Sequence, residues 1–593
     1  MDRKKSAVIR RTREKTQNDY RHDPVSHERG TYLKKWHGRM PIALIYPNTY
    51  HVGMSSLGFQ IVYHLLNQDN GIVCERLFLA DSRHQQPRSV ESGRILADFP
   101  VMLFSVSFEH DYANLVSLLL QAGIEPYAKN RAQRVSCQAP LVIIGGVAMF
   151  MNPEPLASFA DLVIIGEFEP VAADLISKLK QEDALASRAQ FVRELCTSRP
   201  GFYGPQFYTP VFDDRGYQVD TVVSPGFPRR VKKVYLQTKD RAAHSELLTP
   251  HTEFGDLYLT ELGRGCSRGC RFCTAGFIYR PTRRWDGEAV VRSIKQRPAQ
   301  IHRIGLLGME MSSATTIDKI SALLDQQQCS LSFSSLRADS ISERLLSLLS
   351  RSNLKSVAIA PDGTSQRLRQ LINKDLSEQD LIAAAERLIR AGISRLKLYV
   401  MIGLPAEGDQ DLEEFLQLIG KIKAVIDPIG RRRGRLCELQ VSVNSFVPKP
   451  WTPFQYHPYG VSNRLARHQD QVRGNRAVKE LKRKKKRLKN GFARLKNCSV
   501  SFDNPDHVLF QAVLARGDRR LGAVLLQMVS QGLGWKQVLK QLGLAESLWA
   551  TRQYFTDSYL PWQLIDHAIA DDLLFKEYEK AFAGCSNEQH KPS

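Results

Sequence analysis

Two long stretches of the chain repeat one alternation: a short apolar run, then a segment with apolar residues at helical spacing. In the first, "PIALIYPN" opens at Pro41 and "SSLGFQIVYHLLNQ" follows it. "VMLFSVS" (101–107) precedes "YANLVSLLLQAG" (112–123), and "PLVIIGG" (140–146) and "ADLVIIGE" (160–167) complete the series before a helix from Pro170. Alternation of this kind builds an α/β fold: a parallel sheet with helices on its faces and ligands at the carboxyl ends of its strands. Residues 41–185 therefore read as a doubly wound, Rossmann-like domain. A second series begins at 251. Its strands are "DLYLTEL" (256–262), "IHRIGLL" (301–307), "LSFSSL" (331–336), "KSVAIA" (355–360), "RLKLYVMI" (395–402) and "ELQVSVNSF" (438–446), with helical patterns such as 315–327 and 378–392 between them. Six strand–helix units over 251–455 fit a partial (β/α)6 barrel, with function expected at the C-terminal strand ends.

The rest of the chain lacks this rhythm. Residues 1–40 are basic and polar without apolar periodicity, which predicts a loosely ordered arm. Residues 186–250 are rich in Pro, Gly and Tyr and predict a β-rich linker. Residues 456–593 read as a basic helical C-terminal region, with "RAVKELKRKKKRLKNGFARLKN" at 476–497. There one helical face carries Leu481, Leu488, Phe492 and Leu495, and the other is strongly cationic. The cationic face suits an anionic partner, RNA or lipid headgroups, or is simply a solvated surface. The whole chain carries 83 Lys and Arg against 61 Asp and Glu, a net charge of +22, which favours anionic partners without choosing among them. No apolar run reaches the roughly 20 residues that span a bilayer. The basic N-terminus has no apolar segment behind it, so the expected location is the cytoplasm.

Of ten cysteines, seven are scattered singly. Cys266, Cys270 and Cys273 are gathered in "ELGRGCSRGCRFCTAGF" (261–277), directly after the first strand of the second series. Structural zinc takes four protein ligands, usually as two Cys/His pairs. A redox CxxC pair has no use for Cys266. Three thiolates on one loop suit an iron–sulfur cube that keeps one iron free of protein.

CxxxCxφC, with Phe272 before the last Cys, resembles the signature of the radical SAM superfamily, and the resemblance extends over about 251–455. It implies a 4Fe–4S cluster on Cys266, Cys270 and Cys273, with the open iron chelating S-adenosylmethionine (SAM) and Phe272 packed beside it. "GLLGMEMS" stands in place of the GGE motif, implying Gly308, Met309 and Glu310 near the methionine amino group. "SSLRADS" resembles the segment at the ribose and carboxylate, implying Ser335 and Arg337. "IAPDGTSQRLRQLINK" resembles APEAGSERLR, with Asp362 where Glu is usual. "MIGLPAEGDQD" resembles the adenine-facing segment, implying backbone near Leu404. Such chemistry needs a low-potential reductant such as flavodoxin or ferredoxin.

A doubly wound domain before this barrel resembles the cobalamin-binding branch of the superfamily. That resemblance implies cobalamin at the strand-end loops 46–60, 105–110 and 145–155, with Tyr50, Gly53, Ser105, Gly145 and Gly146 as contacts. The DxHxxG pattern is absent, so the domain either holds cobalamin without that histidine or serves only as a packing module. The reactions implied are methyl transfer to an unactivated carbon or, without cobalamin, hydrogen abstraction with rearrangement or carbon–carbon bond formation. An RNA-modifying enzyme using the basic helix is a further alternative.

Overall fold

A computed structural model of the chain describes residues 25–80, 85–181, 183–255, 257–308, 314–333, 336–465 and 471–583. The first sheet consists of β1 (Met40–Ile45), β2 (Ile72–Leu77), β3 (Val101–Ser105), β4 (Leu141–Gly145), β5 (Leu162–Ile164) and β6 (Phe202–Tyr203). Its order is β2-β1-β3-β4-β5-β6, parallel except for β6. The strand order changes direction between β1 and β3, the place where doubly wound sheets open a crevice. Helices α1 (Leu57–Gln68), α2 (Tyr112–Gln121), α3 (Glu169–Leu179) and α4 (Arg188–Ser198) accompany it. Every residue of β2 to β5 is buried, as unbroken apolar runs in a sheet covered on both faces should be.

β2, "IVCERL", keeps a buried cation. The Arg76 guanidinium lies 2.6 Å from both Glu28 and Glu91, with almost no exposure on any of the three. That pairing corrects the expectation of a loose arm for residues 25–39. Glu28 neutralises Arg76, the Trp36 indole donates to Glu75 at 2.6 Å, and Lys34 donates to the Ile72 carbonyl at 3.0 Å. The linker too is only partly β: α4 lies within it, followed by β6 and the hairpin of β7 (Tyr208–Phe212) and β8 (Gln218–Val223).

The second sheet is parallel throughout. β9 (Tyr258–Glu261), β10 (Arg303–Leu307) and β11 (Ser330–Phe333) form one part. β12 (Ser356–Asp362), β13 (Arg395–Ile402), β14 (Glu438–Ser445) and β15 (Cys498–Phe502) form the other. A bridge between Leu336 and Ile359 joins them into one open course. The six expected strands are thus followed by a seventh, β15. Helices α5 (Gly287–Lys295), α6 (Ala314–Gln327), α7 (Glu343–Arg351), α8 (Glu378–Arg390) and α9 (Asp409–Arg432) lie between strands in the chain.

The basic segment forms α10 (Gly474–Phe492) and packs against the barrel. Leu481 sits so close to Gly403 that a Cβ there would lie 2.6 Å from its side chain. Lys484 is buried and pairs at 2.8 Å with the equally buried Glu407, while Arg483 and Arg487 pair with Asp409 at the start of α9. Part of the apparent polycation is therefore paired within the chain, Lys484 in the interior and Arg483 and Arg487 at the surface. Lys486 and Lys489 remain exposed. Helices α11 (Pro505–Arg516), α12 (Leu521–Gln531) and α13 (Leu573–Ala583) then return to both sheets. Arg519 pairs with Glu154 at 3.0 Å, and the Asn152 amide donates to the Gly517 carbonyl at 2.8 Å. Among the described residues no helix is long and apolar enough to cross a membrane.

Candidate functional site

The cysteine loop leaves β9 through a short antiparallel pair, Gly263–Arg264 against Arg283–Arg284. Gly265 follows at φ +87°, and a Cβ there would lie 2.9 Å from the Tyr279 carbonyl oxygen, so the turn into Cys266 requires glycine. Cys266, Cys270 and Cys273 form no disulfide among the described residues and are half-buried. The Cys273 N–H donates to the Cys270 carbonyl at 3.1 Å. From outside, the loop is held by the segment that follows β12. The Arg271 N–H donates to the Ile372 carbonyl at 2.9 Å, its guanidinium to the Leu371 carbonyl at 2.7 Å, and the Asn373 amide to the Gly269 carbonyl at 3.0 Å. Arg271 also reaches Glu577 of α13 at 3.2 Å, and the Phe454 N–H donates to the Arg271 carbonyl. Phe272 packs half-buried against the main core.

Burial pushes the Cys270 thiol up to about 11, with the Lys374 ammonium opposing it and Cys273 and Cys266 adding to it. Burial also raises Cys273, while the backbone N–H groups of Ala275 and Gly276 pull the other way. The thiols thus feel one another, and a bound metal would replace the protons that burial retains. Among the described residues no three His, Cys, Asp or Glu side chains converge on a single-ion position. The other described cysteines sit on other elements.

Of the residues implied for SAM, Met309, Glu310 and Ser335 lie outside the described residues. Gly308 directly follows β10 and lines the cleft described below. Asp362 is in the left-handed region, φ +62°, and pairs with Lys374. Burial raises its carboxyl, opposed by that ammonium. Arg337 donates to the Lys374 carbonyl and to Asp339 at 2.8 Å. Asp362, Lys374 and Arg337 therefore form one group beside Cys270. Leu404 is fully buried, and its carbonyl accepts the Glu407 N–H at 3.2 Å.

A cleft of about 320 Å³ lies where the carboxyl ends of the first sheet meet β9 and β10. Ser105 and Gly146 line it; Gly145, Tyr50 and Gly53 do not. Gly145 is the last residue of β4 and its carbonyl accepts the Val106 N–H at 2.8 Å. The Tyr50 hydroxyl is turned to Glu28, and Gly53 is pressed against the Phe78 ring. Gly146, at φ +102°, lets the β4 exit approach Val106, where a Cβ would lie 2.3 Å from a carbonyl oxygen. The expected loops 46–60, 105–110 and 145–155 also contribute Ser56, Ser107 and Phe150, whereas sequence reasoning missed the charged part of the lining, Glu167 and Glu169 after β5 and Glu261 and Arg264 beside the cysteine loop, and Tyr279. Arg264 spans the seam, reaching Glu167 at 2.9 Å, Glu169 at 2.8 Å and Glu261 at 3.0 Å. Arg283 takes the other Glu167 oxygen at 2.5 Å. The available signal was "GEFEP" at a strand end and an arginine two residues before Cys266.

Residues 58–205 match the family described as radical SAM proteins, N-terminal, and residues 260–419 match the radical SAM superfamily. An uncharacterised protein of Methanocaldococcus jannaschii is 26% identical over 489 residues, 82% of this chain and 90% of that one. An uncharacterised methyltransferase of Pyrococcus horikoshii is 24% identical over 166 residues, 27% of this chain and 36% of that one. Among solved structures, the radical S-adenosylmethionine methyltransferase TsrM from Kitasatospora setae, with tryptophan substrate and a SAM analogue bound, is 13% identical. Its TM-score is 0.45, over 70% of this chain and 75% of that one. The cobalamin-dependent S-adenosylmethionine radical enzyme OxsB, with aqua-cobalamin bound, is 16% identical with a TM-score of 0.43, over 64% of this chain and 52% of that one.

Proposed function

Because the chain belongs to the radical SAM superfamily, we propose that it is an enzyme that cleaves SAM reductively and methylates an unactivated carbon. The observation that carries this reading is the loop itself: three cysteines outside any disulfide just after β9, fixed from outside by the residues after β12. A cluster held by Cys266, Cys270 and Cys273 would supply, with a reductant such as flavodoxin or ferredoxin, the low-potential electron for reductive cleavage of one SAM, and cobalamin in the seam cleft would supply methyl transfer from a second SAM. Arg337 and Lys374 stand beside the loop as cations for the SAM carboxylate, with Asp362 holding Lys374 in place.

The seam cleft suits cobalamin by its donor set. A corrin has a rim of amides. The Ser105 hydroxyl is buried without a hydrogen-bond partner among the described residues, and Arg264 uses only one oxygen each of Glu169 and Glu261. Gly146 and Gly166 bring backbone to the same wall. Arg264 and Arg283 both hold Glu167 and close the seam.

Anaerobic reconstitution with iron and sulfide, followed by SAM, reductant and cobalamin, tests this. Wild type should release 5′-deoxyadenosine, and Cys270→Ala should release none. Ser105→Leu should lower corrinoid retention while leaving 5′-deoxyadenosine release intact. A reconstituted wild type that releases no 5′-deoxyadenosine sinks the reading.

A further inference from the structure

Parallel sheets are ordinarily covered on both faces. β13, β14 and β15 are not: "RLKLYVMI", "ELQVSVNS" and "CSVSF" alternate apolar and polar residues. Leu396, Leu398, Val400, Leu439, Val441 and Val443 are buried in the core they share with α8, α9 and α10. The opposite face is polar, and the register arranges it in rows. Lys397, Gln440 and Ser499 stand side by side, and Tyr399, Ser442 and Ser501 form the next row toward the carboxyl ends. At about 4.8 Å between strands, each row is about 10 Å wide.

These side chains are only partly covered. Tyr399 is 37% exposed, and Ser499 and Ser501 are exposed. Among the described residues, the Lys397 ammonium and the hydroxyls of Tyr399, Ser442, Ser499 and Ser501 have no partner. Gln440 leans down to Glu438 at 2.6 Å, and Glu438 is held by Arg395 at 2.8 Å, which closes the lower end. The upper end leads to the cysteine loop, because Val400 is in register with Asp362, whose partner is Lys374. A parallel sheet that keeps hydroxyls and one unpaired ammonium on an open face is built to meet a polar molecule.

Resting on the radical SAM reading, we infer that this face is the substrate wall, and that the substrate is rich in hydroxyl or amide groups and carries a phosphate. Lys397 is the only charged side chain in the two rows, and no carboxylate stands in either. The phosphate sits on Lys397, the hydroxyl rows take the polar body, and the reacting carbon is presented toward the cysteine loop.

The test is binding by the full-length reconstituted protein, with ribose 5-phosphate and a short single-stranded RNA as probes for a free phosphate ester and a phosphate within a polymer. At least one probe should bind, and Lys397→Met and Ser442→Leu should each weaken it about tenfold or more with the melting temperature retained. Lys486→Met and Lys489→Met on α10 should leave binding unchanged. Which probe binds tells the two phosphate sources apart. Absence of binding by either probe up to about 10 mM overturns the inference. Binding lost through Lys486 or Lys489 and untouched at Lys397 also overturns it. Neither failure touches 5′-deoxyadenosine release by the wild type, the readout on which the radical reading stands.

Discussion

The two parallel sheets of this protein solve the same problem differently. In the first, β2 to β5 are buried on both faces, and the polar groups that line the cleft stand at the strand ends, at Ser105, Gly146 and Glu167. In the second, one face packs on helices while the other keeps rows of unpartnered hydroxyls. A sheet sealed on both sides can offer a ligand only its rim; one left open can hold a molecule along its length and feed it toward the rim. The first sheet is therefore suited to a resident cofactor and the second to a substrate that comes and goes.

The contrast can be broken most severely at α10. Lys484→Met leaves the Glu407 carboxylate buried without its partner, a change that costs about 3–5 kcal/mol. It should loosen the second sheet alone, read as hydrogen exchange rising in β13 and β14 but not in β1 to β4. Pairing it with Glu407→Gln should recover most of the loss.

A smaller effect sharpens the difference between faces. Ile143→Ala in β4, at 0% exposure, should cost about 2–5 kcal/mol by urea unfolding. Ser442→Ala on the open face should stay within about 0.5 kcal/mol. Equal costs would mean the open face is structural.

Acid tests the seam that the two sheets share. His457 bonds the Tyr578 hydroxyl at 3.0 Å and the Val461 carbonyl at 2.7 Å, and burial holds its pKa down at about 3. His567 bonds the Phe150 carbonyl at 2.7 Å and is held at about 3 in the same way. Between pH 6.5 and 3 the unfolded chain takes up protons that the native imidazoles refuse, so stability falls as the pH drops through 6.5. The loss is up to about 1.4 kcal/mol per pH unit for each histidine, or about 2 kcal/mol each at pH 5. His457→Gln should remove its share of the difference between unfolding midpoints at pH 7.5 and pH 5.

Much of this was legible in the chain. β1, β3, β4 and β5 announce themselves as apolar runs because both faces are dry. The cysteine loop is legible because three thiols within eight residues have few physical explanations. β2 was hidden because its Glu75 and Arg76 are buried only by virtue of Trp36, Glu28 and Glu91, none of them its sequence neighbours. β15 was hidden because "CSVSF" has little apolar content, its outer residues facing the open side. The wall of the seam cleft was invisible for a related reason: Arg264 meets Glu167 across 97 positions of sequence, and no local pattern encodes that meeting. The charge run of α10 was plain, but its neutralisation by Glu407 and Asp409 exists only once α9 and α10 pack.

The central claim is that Cys266, Cys270 and Cys273 hold an iron–sulfur cube whose remaining iron is left for SAM. Electron paramagnetic resonance of the reduced, reconstituted protein tests it directly. The account predicts the signal of a reduced 4Fe–4S cluster that shifts when SAM is added and is lost in Cys270→Ala. A signal indifferent to SAM, or one that survives that substitution, would contradict it.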